Sequence, residues 1–434
     1  SSLAAGRLTL AREQLQRAVE LLAEGLGPEH VDTLATLEWL AQVDAKLGNY
    51  GLAEAAFRRI LELREKRHGD GDVRTIDAMH NLASTLYAAG DPAAARPLLA
   101  RALELTERLT PQDPLAVAVT ARELAGVLYQ LGDYRGAEPL AERAYALFSR
   151  EVGEDSTHAA GALRDRALIA EVLGDSERAR IWFQRCVAIR ERVLGPTHPE
   201  LASDLATLAG LLRRNGSPAA GMPLIERALA IHVATFGDDH AEVASDHLIA
   251  AEIVRELGDL RAAEAHVLEA LRIREATFGA THAHVAAALA LLGGVLRDQG
   301  RSAQARDVYA RALDIDVERL GEGHPSTLAT MNDLALAEHD LGHLDAASAL
   351  VRRGLAIAET TQDRVDLEFA GAVQNLALID VDLGRFDSAR EHGKRAFELA
   401  TAALDLVARQ GSEGHRLAQL RRLRWHLAAY LTWC

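Results

Sequence analysis

The chain has almost no cysteine, with only Cys186 and Cys434 among 434 residues. Two isolated cysteines form neither a disulfide framework nor a CxxC motif, so the reducing cytoplasm is the expected location. The sequence also has no signal peptide and no apolar run of about 18 residues, which a membrane-spanning helix needs. These absences predict a cytoplasmic protein with no membrane partner.

Aromatic residues make up only 4% of the chain, although hydrophobic residues make up 49%. The core is therefore rich in Ala and Leu, which are strong helix formers. Lysine occurs only at Lys46, Lys66 and Lys394, so nearly all basic groups are arginines, which suit carboxylate or phosphate partners. A GC-rich genome also explains this bias. The net charge of −15 argues against nucleic acid or anionic lipid as a general partner.

Motifs of common enzymes are missing as well. The sequence contains no GxSxG elbow, no phosphate-binding loop ending in Gly-Lys-Ser/Thr, no HExxH and no Cys/His pair of the hydrolase type. We therefore predict that the protein is not an enzyme and uses no cofactor and no metal.

Glycine, in contrast, recurs in one register with a period of 42 residues. The members are Gly6, Gly48, Gly90, Gly132, Gly174, Gly216, Gly258, Gly300, Gly342 and Gly384. A fixed period of about 20 to 50 residues indicates a stack of similar supersecondary units, not one globular core.

Between consecutive glycines the pattern predicts a helix B, a loop and a helix A. Apolar residues at helical spacing over Ser176–Leu194 and Glu200–Arg214 show this in one repeat, with Pro199 in the first turn of helix A and Gly216 after its end. Small residues recur at fixed points, which lets the helices approach closely. The column seven residues before the glycine contains Ala41, Ala83, Ala125, Ala167, Ala209, Ala251, Gly293, Ala335 and Ala377.

These columns resemble the tetratricopeptide repeat (TPR), in which a small residue in helix A, a glycine and an Ala-x3-aromatic pair in helix B recur. The pairs Ala53–Phe57, Ala179–Phe183 and Ala305–Tyr309 carry the match. The 42-residue period and the segment Leu194–Pro199 (Leu-Gly-Pro-Thr-His-Pro) resemble the kinesin light chain-type variant. The resemblance implies an all-α, right-handed superhelical solenoid of antiparallel helix pairs and a role as an interaction scaffold.

One TPR solenoid is expected to occupy residues 1–434. We predict an unpaired helix B over residues 5–25, nine A/B repeats over 28–402 and an A-like capping helix over 412–434. That last helix is basic and either caps the core or contacts a fused or neighbouring effector domain through Arg416, Arg421, Arg422 and Arg424. Both chain ends indicate a module of a longer protein.

Histidines recur in the inter-repeat loop at His30, His198, His240, His282 and His324. Equivalent residues of neighbouring repeats are about 10 Å apart, too far for one metal ion, so a role in the loop and helix cap is predicted. Two core columns contain polar exceptions, Arg166 and His247. We expect Arg166 to snorkel or to pair with a carboxylate.

The end of helix A, which faces the concave groove in this repeat family, carries a cationic column. Its members are Arg213, Arg255, Arg297 and His339, with Arg214 beside the first. An arginine row can grip a carboxylate or phosphate by paired hydrogen bonds. The alternative is an internal ladder, in which each arginine pairs with an acid of the adjoining repeat.

Asn81 and Asn375 match the Asn-Leu-Ala motif whose asparagines bind a peptide backbone in the kinesin light chain-type family. Between them, the same position is occupied by Glu123, Asp165, Thr207, Ile249, Leu291 and Asp333, so the amide row is interrupted. The overall prediction is a scaffold that binds a protein or peptide in the groove. The alternative is a small-ligand or signal-peptide sensor that changes superhelical pitch and regulates an attached effector enzyme.

Overall fold

A computed structural model describes residues 2–109, 113–361 and 367–410. These residues form helices in strict alternation, and no strand occurs among them. The helices B are α1 (Ser2–Leu26), α3 (Tyr50–His68), α5 (Pro92–Leu109), α7 (Tyr134–Glu151), α9 (Ser176–Leu194), α11 (Pro218–Phe236), α13 (Leu260–Phe278), α15 (Ser302–Leu320), α17 (Leu344–Thr361) and α19 (Phe386–Gln410).

The helices A alternate with them and are slightly shorter. They are α2 (Val31–Lys46), α4 (Val73–Ala88), α6 (Pro114–Gln130), α8 (Thr157–Val172), α10 (Pro199–Arg214), α12 (Ala241–Glu256), α14 (Ala283–Asp298), α16 (Pro325–Asp340) and α18 (Leu367–Asp382). The predicted all-α solenoid of helix pairs is confirmed. The predicted cap over 412–434, with its arginines, lies outside the described residues.

The chain divides into two compact units, residues 1–172 and 173–434. The first contains α1 to α8, and the second contains α9 to α19. Within each unit, every helix packs against the next one along the chain. Neighbouring helices A also touch, α6 with α8 in the first unit and each of α10, α12, α14 and α16 with the following helix A in the second. Side chains of successive helices A are therefore neighbours, which determines where a site can form.

The turn from helix A to helix B depends on the register glycine. In α10, the Ser217 N–H donates to the Leu212 carbonyl and the Gly216 N–H to that of Arg213, both at 2.9 Å. This is a Schellman motif, which requires a left-handed residue; Gly216 has φ 78°. The predicted role of this glycine is confirmed, whereas Gly6, the first in the register, lies inside α1.

A second glycine ends helix B in most repeats, and the sequence analysis missed it as a column. Gly195, Gly237 and Gly279 follow α9, α11 and α13 with φ between 84° and 92°. The inter-repeat loop is thus held by a left-handed residue at its start and a capped helix at its end.

The small-residue columns lie at the centre of the helix contacts. Ala209 and Ala251 are fully buried. Gly293 replaces alanine in this column because the ring of Tyr309 occupies the space: a Cβ at Gly293 would lie 2.7 Å from ring atoms. Close packing, as predicted, explains these columns without a ligand.

Candidate functional site

Charged and amide side chains on successive helices A bond to one another at a sequence separation of 43 residues, one more than the repeat. The first row, which we call the end ladder, contains four such pairs near the C-termini of the helices. They are Arg213–Glu256 at 2.6 Å, Arg255–Asp298 at 2.6 Å, Arg297–Asp340 at 2.8 Å and His339–Asp382 at 2.6 Å. The structure thus brings the predicted cationic column together in the internal ladder that was the alternative interpretation.

The members of the end ladder differ in exposure. The side chain of Arg213 is 17% exposed and also contacts Glu252 at 3.0 Å, whereas Arg255 and Arg297 are about one-third exposed. Burial opposes the charge on Arg255, but the hydrogen bond and charge of Asp298 outweigh it, so the pKa of Arg255 is raised. Arg214 is exposed and lies over Gly210. A part-exposed ion pair is worth no more than about 1 kcal/mol, so a ligand carboxylate can compete for these cations.

A second row, the middle ladder, lies earlier in the helices A and has the same separation. Asn81 donates to Glu38 at 2.8 Å, and Asn375 donates to Asn332 at 2.9 Å. Two further pairs are His80–Glu123 at 2.6 Å and Arg122–Asp165 at 2.5 Å. Both predicted asparagines therefore already hold a neighbouring helix, and their peptide-binding role remains a prediction.

Two of the ladder arginines each lie against a glycine in the following helix A. A Cβ at Gly294 would lie 2.9 Å from the Arg255 guanidinium, and a Cβ at Gly161 would lie 3.1 Å from that of Arg122. Each guanidinium therefore lies against the backbone of the following helix A, where a larger side chain would displace it. The signal for such a contact in the sequence is a glycine inside a predicted helix.

The helices B carry a charge ladder of their own, at a separation of 36 residues, which the sequence analysis also missed. The helix B ladder contains Arg101–Glu65, Arg143–Glu107, Arg227–Glu191, Arg311–Glu275 and Arg395–Glu359. Its arginines are 36 to 47% exposed, so each pair contributes modestly to stability.

Polar pairs also replace apolar contacts inside the core, between a helix B and the next helix A. Arg190 and Asp204 are 2.9 Å apart, and His232 and Asp246 are 2.7 Å apart. Burial opposes charge on His232, yet the hydrogen bond and charge of Asp246 raise its pKa above the ordinary value. Because these groups are buried, they hold helices together and are not accessible to a partner.

The five loop histidines are helix N-caps, as predicted. Nδ1 of His198 accepts the backbone N–H of Glu200 at 3.2 Å, and Nδ1 of His240 accepts that of Glu242 at 3.2 Å. His30, His282 and His324 cap α2, α14 and α16 in the same way. An accepting Nδ1 must be unprotonated, so these rings carry their proton on Nε2.

Arg166, the polar exception in a leucine column, lies 15% exposed with its guanidinium 3.4 Å from Glu142 and above the ring of Tyr145. The predicted carboxylate partner is therefore present. Among the described residues, no group of three or more His, Cys, Asp or Glu side chains is arranged to hold a metal ion. No described helix is long and apolar enough to cross a membrane.

A cavity of about 320 Å³ opens between α16, α17 and α18. Its apolar wall includes Leu328, Met331 and Phe369, while Asn332 and Asn375 of the middle ladder form part of its polar edge. Gly354 stands where most repeats have alanine, and its missing Cβ leaves Met331 Sδ 4.0 Å from that point. The space therefore arises partly from one small residue.

Repeated helix pairs with these turns define a helix-pair repeat protein. The sequence profile of the tetratricopeptide repeat matches residues 2–66, 32–108, 116–191, 158–220, 204–276, 245–318 and 284–360. Because the matches cover most of the chain, it belongs to the tetratricopeptide repeat family. Such arrays are generally protein-binding scaffolds without catalytic activity.

Solved structures of similar fold include BtubC (BKLC) from P. vanneervenii, at 24% identity and TM-score 0.47 over 52% of this chain and 91% of that one. A kinesin light chain-type protein with nearly identical TPR-like repeats from P. anserina has 23% identity and TM-score 0.41 over 47% and 96%. The apo form of RapI has 15% identity and TM-score 0.49 over 62% and 92%. No curated protein matches the chain.

Proposed function

We propose that the helices A of this TPR array bind an extended segment of a partner protein. The observation that carries the proposal is the end ladder, in which part-exposed arginines of successive repeats are held in one row by exchangeable carboxylates. A partner that offers carboxylates at a similar spacing would take over the guanidinium groups of Arg255 and Arg297 by paired hydrogen bonds.

Competition between internal and external carboxylates is central to this mechanism. Each arginine exchanges one acid for another, so binding creates no unpaired buried charge. Within the second unit, the amide of Asn375 would add a backbone hydrogen bond where a partner displaces Asn332; within the first unit, Asn81 would do so separately where a partner displaces Glu38. Arg213, Arg214 and His339 complete the proposed binding surface. We also propose a cytoplasmic location, and a fused or neighbouring effector domain as the partner of the basic segment with Arg416, Arg421, Arg422 and Arg424.

The test compares two ladders within one protein. Arg255→Gln/Arg297→Gln should abolish capture of a partner protein, identified by cross-linking and mass spectrometry. The matched control Arg227→Gln/Arg311→Gln removes the same charge from the helix B ladder and should retain the partner. Equal loss in both variants, with both folded by circular dichroism, would overturn the proposal.

A second candidate function is the small-ligand or signal-peptide sensor, favoured by the cavity between α16, α17 and α18. In this case a ligand enters the space beside Gly354 and alters how α16 and α18 pack. Gly354→Leu fills that space and should abolish a ligand-induced change in radius of gyration measured by small-angle scattering. No change with any candidate ligand in the wild-type chain would exclude the sensor.

A further inference from the structure

One contact inside the second unit differs in kind from its equivalents in other repeats. Helix A and its own helix B meet through two side chains that are 19 residues apart. Leu205 and Leu224 fill these positions in α10 and α11, and Met331 and Leu350 fill them in α16 and α17. In α12 and α13 both positions are histidine, His247 and His266. In this one contact, both apolar side chains are thus replaced by histidines.

The two rings are directed at each other. Their Nδ1 atoms are 2.8 Å apart, and the ring centroids are 5.1 Å apart. One Nδ1–H donates and the other Nδ1 accepts, so the contact requires two different tautomers. Burial lowers the pKa of both imidazoles, and each ring is only partly buried. The pair is therefore neutral near pH 7 and reachable from solvent.

A metal ion could replace the shared proton with little movement. Zinc–imidazole bonds of about 2.0–2.1 Å in tetrahedral geometry place two ligand nitrogens roughly 3.3 Å apart. The Nδ1 atoms need to separate by only a few tenths of an ångström from their present distance. The donating ring would transfer its proton to its own Nε2, so the net charge of the pair stays the same. Imidazole nitrogen is a preferred ligand of zinc, copper and nickel.

The surroundings tolerate an added positive charge. Glu226 on α11, Glu269 on α13 and Asp238 in the preceding loop act electrostatically on the pair, against the single cation Arg272. From this arrangement we infer that His247 and His266 form a two-histidine site for a divalent transition-metal ion, with water as the remaining ligands. The bound ion would join α12 to α13 at a point where α10 and α11, and α16 and α17, rely on apolar packing.

The test uses the other repeats as a guide to a folded variant. His247→Leu/His266→Leu recreates the Leu205–Leu224 contact and should fold. Calorimetric titration with nickel and with zinc should give one specific ion per wild-type chain and a raised melting temperature. The double leucine variant should lose both effects, and Co²⁺ absorption should report nitrogen ligation only in the wild-type chain.

His284→Asn is the matched control, because His282 and His284 form another adjacent pair, with centroids 4.9 Å apart. Nδ1 of His282 already accepts the His284 backbone N–H, so this nitrogen is not available to a metal ion as the Nδ1 atoms of His247 and His266 are. The His284→Asn variant should bind like the wild type. Unchanged binding in the double leucine variant, or no specific binding by the wild-type chain, would overturn the inference.

Discussion

Gly293 shows, at the scale of one residue, how little space the helix contacts leave. A methyl group there would lie 2.7 Å from the Tyr309 ring, which is 2% exposed and has no room to retreat. Gly293→Ala should therefore lower the free energy of unfolding by about 1–3 kcal/mol, the usual cost of overpacking. Chemical denaturation measures the loss.

Gly126 provides the control for this substitution, since it also lies inside a helix A and a Cβ there meets nothing within 4 Å. Gly126→Ala should stabilise the chain by about 0.5–1 kcal/mol because alanine loses less backbone entropy in a helix. If the two variants changed stability equally, the contact with Tyr309 would not be the cause.

Asp316 makes a pH-dependent contribution to the stability of the folded chain. It is buried and accepts a hydrogen bond from Thr330 at 2.9 Å; burial raises its pKa despite that bond. The folded chain therefore binds this proton more tightly than the unfolded chain, so ionisation costs stability as the pH rises from about 4. Asp316→Asn should stabilise the chain at pH 7, with the gain disappearing below about pH 4, as denaturation at both pH values will show.

Asp72 serves as the comparison, because its pKa is shifted in the opposite direction from that of Asp316. Hydrogen bonds from Arg74 lower its pKa, so its ionised form is favoured in the folded chain. Asp72→Asn should not stabilise the chain at pH 7. A gain in both variants would point to net charge, not burial, as the cause.

Histidine caps operate at the scale of the element. His198→Ala removes the acceptor for the Glu200 N–H at the start of α10 and should cost about 1 kcal/mol of unfolding free energy. His198→Asp should retain most of it, because Asp72 caps α4 with the same backbone geometry. Equal losses in both variants would contradict the capping role; thermal melts at pH 7 suffice.

At the scale of the element, the sequence predicted well where helices begin and end. Gly216 and Pro199 have strong local causes, a left-handed turn and a fixed φ, so their effects do not depend on distant residues. Partners across helices were harder to predict. The 42-residue period indicates which helices are equivalent, but the 36-residue offset of the Arg311–Glu275 pair depends on how neighbouring helices B are displaced, which no single repeat encodes.

Local and repeated patterns also decided which residues of the candidate site could be predicted from the sequence. The cationic column was visible because it repeats, whereas His232–Asp246 was not, since each buried pair uses different residue types. His247 was noticed as an exception, but its partner His266 lies in the neighbouring helix and became apparent only in three dimensions.

Charge ladders act over several repeats at once, by linking neighbouring repeats within each unit. A double-mutant cycle on Arg255→Gln and Asp298→Asn should give a coupling of about 0.5–1 kcal/mol at low salt. Near 1 M salt, where the Debye length is about 3 Å, the coupling should nearly vanish. The Arg311–Glu275 pair should behave alike, and a coupling of zero at low salt would show that the end ladder adds nothing to stability.

In a repeat array a destabilising substitution has local effects, because each repeat contacts only its neighbours. Hydrogen exchange in Gly293→Ala should therefore quicken in α13 to α16 and remain unchanged in α1 to α4. Uniform acceleration along the chain would instead indicate one cooperative fold.

The end ladder, with its separation of one period plus one residue, has a consequence for the growth of such proteins. If residues 258–299, one full period, were deleted, Asp340 would move to the place that Asp298 occupies relative to Arg255. The ladder would close again with a different aspartate. Gene duplication or loss can thus change the length of the array by whole repeats while the end ladder stays continuous.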